Sequence, residues 1–145
     1  MLDVLNDESS SMDDELFVTY FDKENIAYWM AFQLLTGNTD TQNRNVYLYS
    51  PQNSSKWYLW DWDNDGMIRR REREIINFSD SESWERGVSN YWGNVLFRRC
   101  LQTQSYRDLL DTAMKELYAY MNEERIQSMM EHYRSVTEKY VWQMP

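Results

Sequence analysis

Apolar residues recur three and four positions apart soon after the start of the chain, and this period predicts a helix over about residues 23–35. The sequence Thr36-Gly37-Asn38 supplies its stop signal. Residues 1–21 are acidic and serine-rich and show no such period, so they predict a linker or a mobile arm. The positions that would form the core face of the helix are Ile26, Trp29, Met30, Gln33 and Leu34.

Two short runs of aromatic and branched residues predict a β-hairpin in the middle of the chain. The runs are residues 45–49, Asn-Val-Tyr-Leu-Tyr, and residues 57–60, Trp-Tyr-Leu-Trp. The polar residues 50–56 between them are typical of a connecting loop. An acidic turn follows at residues 61–66, and a basic stretch comes after it at residues 69–73.

The last third of the chain predicts helices throughout. A short helix is expected over residues 91–101, Ser105 is the expected N-cap of the next helix, and Asn122 is the expected cap of the last one. Residues 22–145 together predict one α+β unit that is mostly helical and has one β-hairpin. The last helix carries these apolar residues on one face: Ile126, Met129, Met130, Tyr133, Val136 and Tyr140.

Charge restricts the partners of the protein. The 145 residues include 24 acidic and 15 basic side chains, which gives a net charge of −9. A surface of this sign repels phosphate backbones and anionic lipids, so we expect no nucleic-acid binding and no membrane-surface binding. It suits a divalent cation, or a nucleotide whose charge a cation has neutralised. No apolar stretch has the length of a membrane span, which predicts a soluble chain without a membrane segment.

Cysteine and histidine chemistry is excluded by composition. The chain has one cysteine, Cys100, which we interpret as a core residue, and one histidine, His132, which we interpret as a surface or helix-packing residue. What remains is the oxygen chemistry of carboxylates and amides, the ligands that Mg²⁺ and Ca²⁺ prefer. Two interpretations compete for the acidic turn.

The first interpretation is a calcium loop. Residues 61–72 satisfy the pattern D-x-D-x-D-G-x5-E, with Asp61, Asp63 and Asp65 at its start and Glu72 at its end. Such a loop follows a helix, whereas the pattern here predicts a strand before it. Three consecutive arginines inside the loop would also oppose the cation. A calcium-binding module is therefore kept as an alternative.

The second interpretation is a phosphotransfer site. Asp40 and Asn45 have the D-x4-N spacing of a kinase catalytic loop, in which the Asp orients the acceptor hydroxyl and the Asn holds a metal ion. The predicted hairpin returns the chain to Asp61 and Asp63, so that oxygen ligands for Mg²⁺ on a phosphate would converge from two segments. The open alternative is that Asp40 and Asn45 only cap a turn and that the acidic cluster is a solvated loop.

Three stretches occur in an order that is known from one family. They are Gly37-Asn38-Thr39-Asp40, then Asn45-Val46-Tyr47-Leu48-Tyr49, then Trp57-Tyr58-Leu59-Trp60-Asp61-Trp62-Asp63 with Gly66. Together they resemble the CotH kinase family, the atypical kinases related to spore coat protein H. The resemblance covers residues 21–140 and includes the helical region at residues 96–110.

The resemblance implies a kinase-like fold and ATP-dependent phosphorylation of serine residues in a protein substrate, with Mg²⁺ or Mn²⁺. Asp40 would be the catalytic residue that positions the acceptor hydroxyl. Asn45, Asp61 and Asp63 would bind the metal and the ATP phosphates, and which of Asp61 and Asp63 contributes more stays open. Asp65 is a weaker candidate outside the signature. The family also implies a bacterial protein of the spore coat, or one that is exported or located in the cell envelope.

The chain departs from the family at its start. Such kinases need an upstream lobe with a Lys or Arg that binds the phosphates, and residues 1–21 are too few and too polar to form it. We therefore expect a C-lobe fragment without its N-lobe, incomplete for catalysis alone. Asn38 and Thr39 also stand where ordinary protein kinases have His-Arg. Besides the calcium-binding module, a non-catalytic helical interaction domain with an exposed aromatic patch remains an alternative.

Overall fold

A computed structural model of the chain describes residues 1–38, 40–42, 44–67 and 91–141. Helices predominate in these residues, and two strands form an antiparallel pair, so the described part is α+β as predicted. The kinase C-lobe assignment stays a prediction. In chain order the elements are α1 (Leu2–Asn6), a π-helical turn (Met12–Leu16), α2 (Phe17–Thr19), α3 (Lys23–Thr36), a 3-10 turn (Asp40–Gln42), β1 (Tyr47–Tyr49), β2 (Tyr58–Trp60), a second 3-10 turn (Asn64–Gly66), α4 (Val95–Gln102), α5 (Gln104–Tyr120) and α6 (Glu123–Val141).

The helix α3 packs along α5 and carries the predicted core face. It begins where Asp22 Oδ1 accepts a hydrogen bond from Asn25 N at 2.8 Å, and it ends at Gly37, whose φ of 65° lies in the left-handed region. Trp29 of α3 stacks on Phe97 of α4, with ring centroids 5.5 Å apart. The buried residues of α3 are Ile26, Ala27, Trp29, Met30, Ala31, Gln33 and Thr36.

Removal of the α3 cap tests how much this helix depends on its first turn. We expect Asp22→Ala to lower the free energy of unfolding by about 1 kcal/mol, because the Asn25 N–H loses its acceptor. Asp22→Asn should recover most of this loss, since an amide oxygen caps as well. Urea denaturation monitored by circular dichroism measures both changes. Equal stabilities for the Ala and Asn variants would contradict the capping role.

The β-hairpin is fixed to α3 through one side chain. Asn25 Oδ1 accepts a hydrogen bond from Leu59 N at 2.7 Å, and Asn25 Nδ2 donates to Leu59 O at 3.3 Å. These reciprocal bonds hold the middle of β2, whose Leu59 side chain is buried in the core. The predicted hairpin is confirmed, with strands shorter than the sequence runs. Its paired residues are Tyr47 with Trp60, Leu48 with Leu59, and Tyr49 with Tyr58.

Residues 1–21 differ from the predicted linker or mobile arm. They form α1, the π-helical turn and α2, and five of their apolar side chains are buried in the same core as α3 and α5. Each helical piece is too short to show a period along the sequence, so composition dominated the prediction. The buried side chains are Leu5, Met12, Leu16, Phe17 and Phe21.

Arg99 of α4 holds the beginning of the chain from inside the protein. Its side chain is buried, and its Nη1 atom donates to Val4 O at 3.0 Å and to Leu5 O at 2.8 Å. Its Nη2 atom donates to Ser10 O at 2.5 Å and to Ser10 Oγ at 2.9 Å. The guanidinium therefore supplies the donors for the Leu5 and Ser10 carbonyls, which no local N–H binds, and adds one to Val4 O, which also accepts from Asp7 N.

A second contact ties the π-helical turn to α5 and corrects a predicted cap. Ser105 does not cap α5, which begins after Thr103. Instead Ser105 Oγ donates to Asp13 Oδ1 at 2.6 Å, and Lys23 Nζ donates to the same oxygen at 2.8 Å. The hydrogen bonds from Lys23 and Ser105 lower the pKa of the Asp13 carboxyl.

Predictions for single residues of the last third are largely confirmed. Cys100 is buried, and this burial raises the pKa of its thiol, so it is a core residue. Asn122 Oδ1 accepts from Arg125 N at 2.9 Å as the cap of α6, on which His132 is exposed. The helix predicted over residues 91–101 begins later, after the cap Asn94.

Judged by length and hydropathy, none of the helices in the described residues could span a lipid bilayer.

Candidate functional site

Two of the predicted site residues contact each other across the hairpin. Asn45 Nδ2 donates a hydrogen bond to Asp63 Oδ2 at 3.3 Å. In sequence, Asn45 comes before β1 and Asp63 comes after β2, so the hairpin brings them together. Asn45 has a φ of 58° and Asp63 a φ of 54°, and they are the non-glycine residues with positive φ in the described part of the chain. Asn and Asp tolerate this left-handed region, and such backbone strain is concentrated at functional sites.

Asp40 lies against the end of the acidic turn, at Gly66. A Cβ atom at Gly66 would lie 2.8 Å from Asn38 Oδ1 and 3.2 Å from Asp40 Oδ2, so only glycine permits this approach. The Asp40 side chain is 28% exposed, and Arg44 Nη2 lies 3.9 Å from its Oδ1 atom. The geometry thus places the Asp40 carboxylate beside the turn that contains Asp63.

Buried amides hold the acidic turn against α3. Gln33 is 1% exposed and Asn38 is 2% exposed, and Asn38 Nδ2 donates to Gln33 Oε1 at 2.9 Å. Both side chains also donate to Asn64 Oδ1, Asn38 at 3.1 Å and Gln33 at 3.4 Å. Asn38 Oδ1 accepts from Asp40 N at 3.2 Å, so the same network orients the turn that carries Asp40.

Asp61 is bound to this network and not to Asn45. Its Oδ1 atom accepts a hydrogen bond from Gln33 Nε2 at 2.9 Å. The residue as a whole is exposed, yet its carboxylate is partly desolvated where it meets Gln33. This desolvation raises the pKa of Asp61 above its usual value, although the hydrogen bond from Gln33 acts in the opposite direction.

The amide residues Gln33 and Asn64 were missed as site residues in the sequence. One signal could have identified Gln33: it is a polar side chain at a position of α3 where the period requires an apolar core residue. Asn38 belongs to a motif of the resemblance, but its structural role was not foreseen. Thr41 Oγ1 lies 3.0 Å from the hydroxyl of Tyr91, so the 3-10 turn after Asn38 is anchored from a distant part of the chain.

An exposed aromatic groove of about 500 Å³ adjoins the Asn45–Asp63 pair. The rings of Tyr47 and Trp62 are 5.5 Å apart, and those of Tyr49 and Trp60 are 5.9 Å apart. The hairpin therefore presents an apolar surface next to polar oxygen atoms. The residues that line the groove are Tyr47, Leu48, Tyr49, Trp60 and Trp62.

The oxygen atoms of this region suit a hard divalent cation in kind. Carboxylate and amide oxygens come from the turn at Asp40, from Asn45 and from the acidic turn, and they are the donors that Mg²⁺ and Mn²⁺ accept. No hydrogen bond joins Asp40, Asn45 and Asp61 to one another in the described residues. Within the same residues, no group of three or more His, Cys, Asp or Glu side chains is placed to hold a metal ion. The pair that fits best is Asn45 with Asp63.

The element that precedes the acidic turn argues against a calcium loop. The element that leads into the acidic turn is the strand β2, where a calcium loop of this kind requires a helix. Glu72, the last ligand of that pattern, and the arginines inside the loop lie outside the described residues. Thr39 of the first motif lies outside them as well. The calcium-binding alternative is therefore not favoured.

The comparison with known proteins agrees with the motifs. The model of the family described as CotH kinase protein matches residues 1–145, the whole chain. No curated protein and no solved structure matches the chain. The family match supports a kinase-like function in general and implies a protein substrate. It also confirms the resemblance that the three stretches indicated: the chain belongs to the CotH kinase family.

Proposed function

We propose that the described site is the metal-binding and acceptor side of a kinase centre that transfers the γ-phosphate of ATP to serine hydroxyls of a protein, with Mg²⁺ or Mn²⁺. One observation carries the proposal. The hydrogen bond between Asn45 and Asp63 joins the D-x4-N motif to the acidic turn, which is the convergence that phosphotransfer requires. A location in the spore coat or cell envelope, or export, is part of the same proposal.

In this proposal each side chain has a separate role. Asp40 accepts the proton of the serine hydroxyl while the hydroxyl oxygen bonds to the γ-phosphorus, and the bond from that phosphorus to the bridging oxygen of ADP breaks. Asn45 and Asp63 offer adjacent oxygen ligands. A bound divalent ion would neutralise the charge of the phosphates. Arg44, close to Asp40, adds a positive charge on the side where the phosphate would lie.

The structure also supports an answer to the choice between the two acidic residues. Asp63 contacts Asn45, whereas Asp61 is bound by Gln33 and has a raised pKa. We assign the metal-binding role to Asp63 and a positioning role to Asp61. The aromatic groove beside Asp63 offers ring faces on which a nucleotide base would stack.

Ligand-dependent stabilisation tests this function without requiring turnover. With Mg²⁺ and ATP at about 100 times Kd, the protein should gain roughly 2.7 kcal/mol of stability, which a thermal melt detects. We expect Asn45→Gly to abolish this gain, because glycine keeps the left-handed backbone while the amide oxygen is lost. Glu124→Gln removes one carboxylate from α6, away from the site, and is the matched control that should keep the full gain.

Two results would contradict the proposal. The first is a wild-type protein whose melting temperature does not respond to Mg²⁺ with ATP or to Mn²⁺ with ATP. The second is stabilisation by micromolar Ca²⁺ alone that persists in Asn45→Gly, because Asn45 lies outside the calcium pattern of residues 61–72. Comparing Asp61→Asn with Asp63→Asn then tests the assigned roles, since only the second should lose the response to the nucleotide.

A further inference from the structure

The helix α6 carries an apolar stripe with the spacing of a coiled coil. Its members alternate at intervals of three and four residues over the whole helix, which is the a and d pattern of a heptad repeat. Such a stripe on a helix normally packs against another helix. The stripe, called the α6 seam below, consists of Ile126, Met129, Tyr133, Val136 and Tyr140.

The seam is not covered by the rest of the described chain. Met129 is 48% exposed, Tyr133 is 61% exposed and Tyr140 is 62% exposed. At its N-terminal end the seam continues into a groove of about 550 Å³ between α6 and the ends of α3 and α5. The groove walls contain no polar surface and include Phe32, Leu117, Tyr120, Met121 and Met130. An apolar surface of this length and continuity is typical of an interaction site.

The charged residues beside the seam indicate which charge a partner must carry. Arg125, His132 and Lys139 are seven residues apart, and they occupy the g positions along one edge of the seam. None of these side chains makes an ion pair with another described residue. The acidic side chains at the same interval, Glu124 and Glu131 among them, occupy the f positions on the opposite face of α6. On a chain with a net charge of −9, the edge of the seam is thus locally basic.

A second copy of this chain does not fit that edge. Antiparallel pairing of two α6 helices would place g positions opposite g positions, so that Arg125 would face Lys139 of the other copy. Parallel pairing would place the basic edge opposite Met130 and Thr137 at the e positions, without an opposite charge. Neither arrangement pairs the basic residues. A membrane surface is also disfavoured, because helices that lie on membranes carry Lys and Arg on their polar face, whereas the face of α6 opposite the seam carries Glu124 and Glu131.

We propose that the α6 seam and the adjoining groove bind an amphipathic helix of another protein, one with an apolar stripe flanked by acidic residues. The apolar stripe of the partner would pack against Met129 and Tyr133, and its carboxylates would pair with Arg125 and Lys139. Asp40, Asn45 and Asp63 do not belong to this surface, although Met67, which follows the acidic turn, lines the groove. The proposal does not rest on the proposed phosphotransfer.

Two synthetic peptides test the charge requirement. Each contains about three heptads with Leu at a and d, one with Glu and the other with Lys at the e and g positions. Fluorescence anisotropy at low salt should show that the Glu peptide binds at least tenfold more tightly than the Lys peptide. The affinity for the Glu peptide should decrease as the salt concentration rises, since screening weakens surface charge pairs.

Variants of α6 separate the two components of the surface. Met129→Glu should abolish binding of the Glu peptide, and Glu131→Gln on the opposite face should leave it unchanged. The double variant Arg125→Glu with Lys139→Glu should reverse the preference in favour of the Lys peptide. Because all these side chains are on α6 outside the core, circular dichroism should show an unchanged fold for every variant.

Several outcomes would overturn the proposal. Equal binding of the two peptides, or no binding of the Glu peptide, would remove the acidic-helix partner. Light scattering that reveals a dimer of the wild type and a monomer of Met129→Glu would assign the seam to a second copy. Sedimentation with phosphatidylserine vesicles that is lost in Met129→Glu would assign it to a membrane surface.

Discussion

Replacing Arg99 with methionine is expected to lower the free energy of unfolding by about 3 kcal/mol, among the larger effects of a single substitution. Methionine keeps an apolar stem of similar length, so the change isolates the guanidinium. Its loss leaves the carbonyls of Leu5 and Ser10 without their donor in a part of the protein that is shielded from water. Urea denaturation measures the difference, and hydrogen exchange of residues 2–21 shows where protection is lost.

The neighbouring arginine supplies the control. Arg98 is the preceding residue of α4 and is partly exposed, and among the described residues its side chain makes one hydrogen bond, from Nη1 to Trp92 O at 3.3 Å. We expect Arg98→Met to change the stability by no more than about 0.5 kcal/mol. If the two variants unfold at the same urea concentration, the packing of the first 21 residues does not depend on Arg99. The role given to this guanidinium would then be wrong.

The second large loss of stability is expected when a single methyl group is added at Gly66, which lies against Asp40. Gly66→Ala should lower the stability by about 2 kcal/mol, because the added Cβ would overlap Asn38 Oδ1. Asn38 cannot turn away at low cost, since it is buried and is bonded to Gln33 and Asn64. The acidic turn would move away from Asp40. We therefore also expect a decrease of at least tenfold in the affinity for ATP with Mg²⁺, measured from thermal melts at increasing nucleotide concentration.

Gly93→Ala is the matched control for this prediction. A Cβ atom at Gly93 meets no atom of the described residues within 4 Å, and its backbone is not in the left-handed region. Its stability should equal or slightly exceed that of the wild type, because alanine reduces the freedom of the unfolded chain. An affinity for the nucleotide that is the same in Gly66→Ala and Gly93→Ala would show that the approach of Gly66 to Asp40 does not matter for binding.

A network of amide side chains below the site links its geometry to the stability of the protein. Gln33, Asn38 and Asn64 lie beneath the polar surface and use their amides to satisfy one another. Buried polar groups of this kind are costly when any one partner is lost. We therefore attribute the geometry of the site to the network as a whole. Asp63 is exposed and Asp40 and Asn45 are partly exposed, whereas Gln33 and Asn38, which hold the turns, are buried.

Much of the site could be predicted from the sequence because its signals are local. The D-x4-N spacing of Asp40 and Asn45, and the acidic pair Asp61 and Asp63, are patterns within a few residues of each other. The pairing of Asn45 with Asp63 could not be predicted in the same way. It depends on the register of the hairpin and on two left-handed backbone positions, and no nearby residue specifies either. The sequence therefore named the candidates but could not choose between Asp61 and Asp63.

From residue 22 onward, the sequence by itself determined the order of helices and strands, the core face of α3, the cap at Asn122 and the family. Period, capping and motif are properties of neighbouring residues. Tertiary structure alone decided the position of residues 1–21. Their helices are too short to be stable by propensity. They persist because their apolar side chains are buried in the core and because Arg99, which follows far along the chain, binds the carbonyls of Leu5 and Ser10. It also decided that the apolar face of α6 stays exposed. An amphipathic pattern requires a partner surface, but only three-dimensional packing determines whether the same chain provides one.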